Sequence, residues 1–169
     1  VYVTHDQSEA LVMSDEIIVM SKGRIEQKGG PREIYTRPVN RYVSNFIGVV
    51  NLLKGRVVKV NGAGSGQIEV SEGGMCVQLP CRLSGDITVG ADAILSVRPE
   101  NVQATRENGG GECLEGEVLQ AIFLGNCIDC RVRWGAYEWK VLAHPRTRLR
   151  KGEKVFLRLD PSHTLAVRP

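Results

Sequence analysis

The stretch "LLKGRVVKV" (Leu52–Val60) recurs in altered form as "CLEGEVLQA" (Cys113–Ala121). Both copies carry Leu-x-Gly-x-Val, and their motif leucines are 61 residues apart (114 − 53). A second pair follows in the same order: "ILSVRPENV" is echoed by "VFLRLDPSH", with Pro99 and Pro161 at an offset of 62 (161 − 99). Two sub-motifs at nearly one offset indicate an internal duplication, with chance similarity between short β-segments as the alternative.

Both copies lie in a region that predicts short strands. After residue 50, β-rich runs alternate with Gly-rich tracts such as "NGAGSG" and "ENGGG". This pattern is typical of a small barrel or sandwich. One half is too small to bury a core, so we expect the halves to share strands in one barrel-like unit. The predicted strands are Leu52–Val60, Gln67–Val70, Met75–Leu79, Ala93–Val97, Gly116–Leu124, Cys127–Trp134, Glu138–Ala143, Lys154–Leu159 and Leu165–Val167.

Residues 1–50 have a different, mixed α/β pattern. Val1–Thr4 is β-branched and apolar on both faces, which predicts a strand of a parallel sheet. Because no partner strand precedes it, we expect this segment to be rearranged, disordered or paired with another molecule. Asp6 and Glu9 have capping-box spacing ahead of a predicted helix Gln7–Met13. Next come a predicted hairpin (Glu16–Met20 with Arg24–Lys28), a helix Arg32–Thr36 begun by Pro31, and a helix between Asn40 and Gly48.

The sequence therefore predicts a mainly β fold. An OB-like β-barrel built from a duplicated motif over residues 51–169 follows a small α/β segment over residues 1–50.

The composition excludes several classes of protein. The 169 residues are 42% hydrophobic and 24% charged, which is typical of a globular chain. A scattered net charge of +3 and 5% aromatic residues argue against a nucleic-acid surface. The sequence contains no apolar run long enough for a membrane span. The five cysteines are irregularly spaced, which favours reduced thiols.

The first 48 residues carry a set of motifs in a fixed order. These are "THDQSEA" (residues 4–10), Ser14-Asp15, Lys22-Gly23-Arg24, Gly30-Pro31 and the segment from Ile34-Tyr35 to Pro38. This arrangement resembles the end of the nucleotide-binding domain of an ABC importer ATPase. "NLLKGRV" and "SVRPENV" then resemble the accessory TOBE domain found in importers of polyamines, iron, sugars and phosphonates. The chain is thus similar to a C-terminal fragment of such an ATP-binding protein.

The resemblance assigns roles to three residues. It implies that His5 is the switch histidine, a catalytic and nucleotide-binding residue that contacts the γ-phosphate of ATP. It implies that Asp6 and Gln7 belong to the nucleotide-binding site with His5, where they stabilise the turn and the contact to a partner subunit. Independently, imidazole at the carboxyl end of a parallel strand lies where α/β sheets bind ligands and can bond a phosphate oxygen. A histidine that only caps a turn is the alternative.

The rest of a phosphoryl-transfer site is not in this sequence. The G-x-x-x-x-G-K-[ST] loop that cradles phosphates does not occur. We therefore expect ATP and Mg²⁺ to be used by the full-length parent, and neither a cofactor nor ATPase activity for this chain alone. We expect no metal site.

The resemblance also implies partners and a location. The expected partners are a second copy of the ATPase subunit in a homodimer, transmembrane permease subunits, and indirectly a solute-binding protein, with no nucleic acid. The expected location is cytoplasmic and peripheral on the inner face of the cell membrane. Polyamine import is favoured. The alternative from another class is a free-standing β-barrel module that binds a small anionic ligand.

Other constellations favour structural roles. Cys127-x-x-Cys130 lies in a predicted strand, where positions i and i+3 face opposite ways, so buried cysteines are favoured over a metal site. The basic run Arg146–Lys151 predicts a solvated strand edge protected by charge, with an anion or acidic partner as the alternative. Trp134 and Trp139 are predicted to pack on the barrel beside a hairpin tip.

Overall fold

The computed structural model describes residues 1–108, 110 and 112–169. Its N-terminal part contains three short helices and one hairpin, which pack as a small unit. The elements are α1 (Gln7–Met13), β1 (Ile17–Ser21), β2 (Arg24–Gly29), α2 (Pro31–Thr36) and α3 (Arg41–Phe46).

Local sequence signals explain where these helices begin. The Asp6 carboxylate accepts the N–H groups of Ser8 and Glu9 at the start of α1, and Asn40 accepts the N–H of Val43 at the start of α3. Pro31 occupies the first turn of α2, where its missing N–H costs nothing. The helices predicted from these signals are confirmed.

A small apolar core holds this unit together. Ile17 and Val19 of β1 pack with residues of α2 and α3, and Gln27 of β2 is a buried polar residue. The Gln27 side chain donates to the carbonyl of Arg37 and accepts the N–H of Val39. This amide therefore fixes the connection between α2 and α3 against the hairpin.

The strand predicted at Val1–Thr4 does not form. Residues 1–6 are irregular, and Val1, Tyr2 and Val3 are exposed. An apolar strand needs neighbours on both edges and both faces, and the described part of the chain provides none at this place. This segment is rearranged, which is one of the outcomes expected for a strand without partners.

Among the described residues after residue 50, ten strands form the β region. They are β3 (Asn51–Asn61), β4 (Ser65–Glu72), β5 (Met75–Leu83), β6 (Asp92–Val97), β7 (Val102–Thr105), β8 (Leu114–Phe123), β9 (Ile128–Trp134), β10 (Tyr137–Ala143), β11 (Lys154–Leu159) and β12 (Thr164–Val167). The mainly β, OB-like prediction is confirmed. β7 was not predicted.

The strands form two sheets that exchange their last strands. β12, β5, β4, β3 and β6 make a closed barrel, while β10, β9, β8, β11 and β7 make a five-stranded sheet. β7, from the first half of the sequence, pairs with β11, and β12, from the second half, pairs with β6. The expected sharing of strands is confirmed, but the halves form two sheets rather than one barrel.

The duplication is visible in the backbone. β3 and β8 carry bulges at equivalent places, between Val57 and Lys59 and between Val118 and Gln120. At each bulge the N–H of a valine donates to one carbonyl, and the carbonyl of the same valine accepts one N–H. Val57 bonds in this way to Ala91 and Gly90, and Val118 bonds to Glu153 and Gly152. One continuous apolar core lies beneath both sheets, so the halves fold as one body.

Candidate functional site

The predicted switch segment lies at the start of α1. His5 is exposed and directly precedes Asp6, whose carboxylate caps the helix. An exposed imidazole beside a helix start can reach a ligand from solvent, and its two ring nitrogens can donate or accept. The structure thus brings His5 and Asp6 together on one turn.

A second network orders the residues before this turn. The hydroxyls of Tyr2 and Thr4 both donate to Glu9 Oε2, at 3.0 and 3.1 Å. The Asp6 N–H donates to Thr4 Oγ1 at 2.9 Å. The predicted capping box is therefore half formed, because Glu9 binds two side-chain hydroxyls instead of the Asp6 N–H.

Gln7 contacts the other end of the N-terminal unit. The N–H of Gly48 donates to Gln7 Oε1 at 2.6 Å. Gly48 follows α3, has a φ of +71°, and leads into β3. The implied contact of Gln7 with a partner subunit stays a prediction, and within this chain the side chain holds the connection to the β region.

A buried arginine joins the N-terminal unit to the β region. Arg98, at the end of β6, is 6% exposed and donates to the carbonyls of Val49 at 3.1 Å and Tyr35 at 3.3 Å. Its guanidinium lies 4.2 Å from the centre of the Tyr35 ring, within cation–π distance. Burial lowers the pKa of Arg98, and the neighbouring Tyr35 and Glu100 act the other way.

Tyr35 completes this junction. Its hydroxyl donates to Glu100 Oε1 at 2.6 Å, and the buried hydroxyls of Ser44 and Ser96 lie 2.7 Å apart nearby along the same boundary. Burial and then the hydrogen bond to Glu100 raise the pKa of Tyr35 to about 12. The junction was missed from the sequence, although a lone arginine directly after the apolar run Ala93–Val97 was a usable signal.

The second sheet carries an open groove of about 600 Å³. Its charged lining is paired internally: Glu117 with Arg133, and Glu115 with Lys154. These exposed pairs balance one another, so the groove carries no excess charge of either sign from them. It offers no concentrated positive field for an anion.

The remaining constellations fill structural roles. Cys127 lies just outside β9, so the predicted strand began one residue too early, and the buried Cys130 has a pKa raised by burial to about 11. All five cysteines are free thiols. Among the described residues, no group of three or more His, Cys, Asp or Glu side chains could hold a metal ion.

The basic run was assigned to the wrong kind of element. Arg146–Lys151 lies in the connection between β10 and β11, not on a strand edge. Leu149 is buried there and anchors the loop, because its apolar side chain joins the core while the neighbouring cations stay exposed. Trp134 and Trp139 pack in the core as predicted.

Comparison with known proteins gives consistent matches. Residues 95–167 match the family model for the TOBE domain. The chain is 36% identical to the spermidine/putrescine import ATP-binding protein PotA of Frankia alni, over 96% of this chain and 38% of that protein. It is 34% identical to the PotA protein of Rubrobacter xylanophilus, over 98% of this chain and 44% of that protein. The chain thus spans about two-fifths of the length of these curated relatives.

A solved structure shares the fold. The cytoplasmic molybdate-binding protein ModG, crystallised with molybdate bound, aligns with a TM-score of 0.60 at 17% identity, over 70% of this chain and 96% of that chain. The fold and the family match together define a protein with a TOBE-type, OB-like β domain. Over nearly its whole length the chain is similar to ATP-binding proteins of ABC importers, and this similarity is consistent with a C-terminal, TOBE-containing part of such a protein. Within the described residues, no helix is both long and apolar enough to cross a bilayer.

Proposed function

We propose that this chain supplies the switch histidine, and a regulatory and dimerisation domain, to the ATP-hydrolysing subunit of an ABC importer of the polyamine type. The observation that carries the proposal is the similarity to spermidine/putrescine import ATP-binding proteins, which runs through both the N-terminal unit and the β region. The proposal assigns residues 1–50 to the end of the nucleotide-binding domain and residues 51–169 to the duplicated regulatory domain.

The exposed apolar surface of the N-terminal unit supports this assignment. Large apolar side chains of the first residues, of α1 and of the hairpin face solvent, and exposed apolar surface is a feature of protein–protein contacts. In the proposal, the remainder of the ATPase domain covers them. They are Val1, Val3, Val12, Met13, Ile18, Met20 and Ile25.

In the proposed role, His5 donates a hydrogen bond to a γ-phosphate oxygen and stabilises the charge that develops in the transition state. Asp6 keeps the turn in place by capping α1, so the imidazole stays beside the helix start. Mg²⁺ neutralises phosphate charge in such reactions. The described residues around His5 form no metal-ligand cluster, so no step is assigned to the ion through this chain.

The proposed partners are a second ATPase subunit, the permease subunits and, through them, a solute-binding protein. The subunit would then sit at the cytoplasmic face of the membrane. ATP turnover by the full-length gene product, reassembled with its permease, tests this arrangement when each candidate binding protein is added with its solute. Polyamine-loaded binding protein is expected to stimulate turnover, and stimulation by another solute alone would overturn the polyamine assignment.

The role of His5 is tested by His5→Ala in the full-length gene product. Removing one transition-state donor is expected to lower kcat by about 10²–10³-fold. His144→Ala is the matched control, because His144 is also exposed but lies at the end of β10. Unchanged kcat in His5→Ala would exclude the switch role.

The alternative is a free-standing β module that binds a small anion. The likeness to molybdate-binding ModG concerns the fold alone, at 17% identity, and serves only to name molybdate as the probe. Calorimetric titration of this chain with molybdate separates the two functions. We expect no saturable heat, because the charged groove side chains are paired with one another. Saturable binding at micromolar concentration would favour the alternative.

A further inference from the structure

We propose that Gln7 and Arg98 are positioning residues that couple the switch segment to the regulatory domain through Gly48. This inference rests on the proposed function, because it takes His5–Gln7 as part of the nucleotide site. It adds a route within one chain by which the β region can set the position of that segment.

The first contact in the route is made by Gln7. At the end of α3 the N–H of Ile47 bonds to the carbonyl of Val43, and Gly48 follows in the left-handed region with a φ of +71°. The Gly48 N–H donates to Gln7 Oε1 at 2.6 Å instead of to its own helix. The side chain two residues after His5 therefore binds the backbone where the chain leaves the N-terminal unit.

The second contact is made by Arg98 from the β region. Its guanidinium donates to the carbonyl of Val49, which directly follows Gly48, and to the carbonyl of Tyr35 in α2. A Cβ built on Gly48 would lie 3.2 Å from the Tyr35 ring and 3.7 Å from Arg98 Nη1. Gly48 is thus enclosed between the Gln7 amide on one side and the Arg98–Tyr35 pair on the other.

The route leads to the segment where the chain crosses from the barrel to the second sheet. Arg98 precedes the 3₁₀ turn Pro99–Asn101, through which the chain passes from β6 in the barrel to β7 in the second sheet. Tyr35 OH donates to Glu100 in that turn. Coupling between sites travels through contiguous packed and hydrogen-bonded groups of this kind.

The duplicated half supplies an internal comparison. The residue equivalent to Arg98 is Asp160, 62 positions later (160 − 98). Asp160 is exposed, and its carboxylate bonds within its own turn, to Ser162 and His163. Of the two equivalent residues, Arg98 is a buried cation that bonds to the N-terminal unit, whereas Asp160 bonds within its own turn, so Arg98 is suited to that contact rather than to the turn itself.

A set of three variants tests the route. Gln7→Leu removes the acceptor at nearly constant size, whereas Gln7→Glu keeps a side-chain oxygen for the Gly48 N–H. Arg98→Lys keeps the charge but loses the fork that reaches two carbonyls. Gln7 is only partly buried, so the first two variants are expected to fold.

The direct readout is hydrogen exchange of the Gly48 amide in this 169-residue chain, followed by NMR. Protection is expected to fall about 3–10-fold in Gln7→Leu, to be retained in Gln7→Glu, and to fall in Arg98→Lys. The Val118 amide, which bonds to the Glu153 carbonyl in the second sheet, is the reference and should not change. Unchanged Gly48 protection in Gln7→Leu would overturn the route.

The functional readout uses the full-length gene product. Gln7→Leu is expected to lower kcat while leaving the KM for ATP within about twofold, since the side chain it removes is bonded to Gly48 and its loss displaces the switch segment, and Gln7→Glu is expected to restore kcat. Lost Gly48 protection with unchanged turnover would overturn the positioning role. Absence of ATPase activity in the wild-type full-length protein would overturn the proposed function. The hydrogen-exchange result on this chain would still show whether Gln7 binds the Gly48 N–H.

Discussion

At the scale of single residues, two glycines show how closely the duplicated halves approach each other. Gly73 begins the β4–β5 connection, and Gly135 holds the equivalent place 62 residues later (135 − 73), with φ values of +57° and +58°. A Cβ on Gly73 would lie 2.6 Å from the N atom of Ala136, and one on Gly135 would overlap the carbonyl oxygen of Glu72. The two turns therefore pack backbone against backbone, which is possible only without side chains.

Gly135→Ala is expected to lower the free energy of unfolding by roughly 2–4 kcal/mol, because it combines left-handed strain with a clash against backbone. Gly152→Ala is the matched control. Its φ is +84°, but nothing lies within 4 Å of the added carbon, so only about 1–2 kcal/mol of strain is expected. Urea unfolding of both variants measures the difference, and equal losses would show that the close approach does not matter.

Asp160 gives the protein a defined acid sensitivity. Hydrogen bonds from the Ser162 hydroxyl, the His163 ring and the Ser162 N–H lower the pKa of Asp160 to about 2. Since the folded-state pKa lies below the usual value of about 3.9, the stabilisation is present above about pH 4 and is lost as the pH falls towards 2.

Replacing Asp160 by Asn should therefore flatten the fall in melting temperature between about pH 4 and pH 2. The exposed carboxylate of Asp86 provides a control, and Asp86→Asn should leave that slope near the wild-type value. Thermal unfolding followed by circular dichroism measures the slope. An undiminished slope in Asp160→Asn would contradict the assignment.

At the scale of elements, the edge strands of the two sheets bond to different kinds of partner. In the barrel, β12 pairs in parallel with β5 at Arg82 and Leu83. In the second sheet, a side chain bonds to the backbone of the edge strand β10. Asn51 Nδ2 donates to the carbonyl of Lys140 at 2.9 Å, and Asn51 Oδ1 accepts the Lys140 N–H at 2.8 Å. One buried amide thus takes the place of a strand neighbour.

Asn51→Ala is expected to cost about 2–4 kcal/mol, since it leaves a backbone donor and a backbone acceptor of β10 without this partner. Asn61→Ala, at the exposed other end of β3, should change stability by less than about 0.5 kcal/mol. Chemical denaturation compares the two. A loss below about 1 kcal/mol for Asn51→Ala would mean that water replaces both bonds.

At the scale of the whole molecule, neither half is complete. The second sheet needs β7 from the first half, and the barrel needs β12 from the second. The shared core contains Leu53 and Val57 of one half together with Val155 and Leu157 of the other. Separating the halves would expose that core on both.

Peptides covering residues 50–105 and 106–169 are therefore expected to be unfolded alone and to regain β structure when mixed. Halves of this size are marginal even with intact sheets. Far-ultraviolet circular dichroism of each peptide and of the mixture, with thermal melting, provides the test. Cooperative unfolding of either isolated half would contradict the shared fold.

Several features followed from the sequence because they depend on neighbours along the chain. The caps at Asp6 and Asn40, Pro31 at the start of α2, and most strands of the duplicated region needed only local pattern. The motif around His5 indicated the family. Local pattern also misled: the predicted strand ended at Leu79, directly before Pro80, but β5 runs to Leu83.

Pro80 is tolerated for a reason that the sequence does not contain. On its far side, β5 pairs with β12 at Arg82 and Leu83, beyond the proline, so no ladder bond to β12 is needed at Pro80. β7 was missed because four residues after a proline turn give too short a pattern. The Arg98 junction was missed because its partners, Tyr35 and Val49, lie 63 and 49 residues away.

The sequence by itself determined the duplicated β architecture, the small α/β unit and the helix start that follows His5, because periodicity, caps and motif spacing act within a few residues. Tertiary structure alone decided the exchange of β7 and β12, the side-chain edge at Asn51 and the burial of Arg98. These depend on which distant surfaces meet. A buried polar group must find its partners wherever the fold places them, and no local pattern encodes that place.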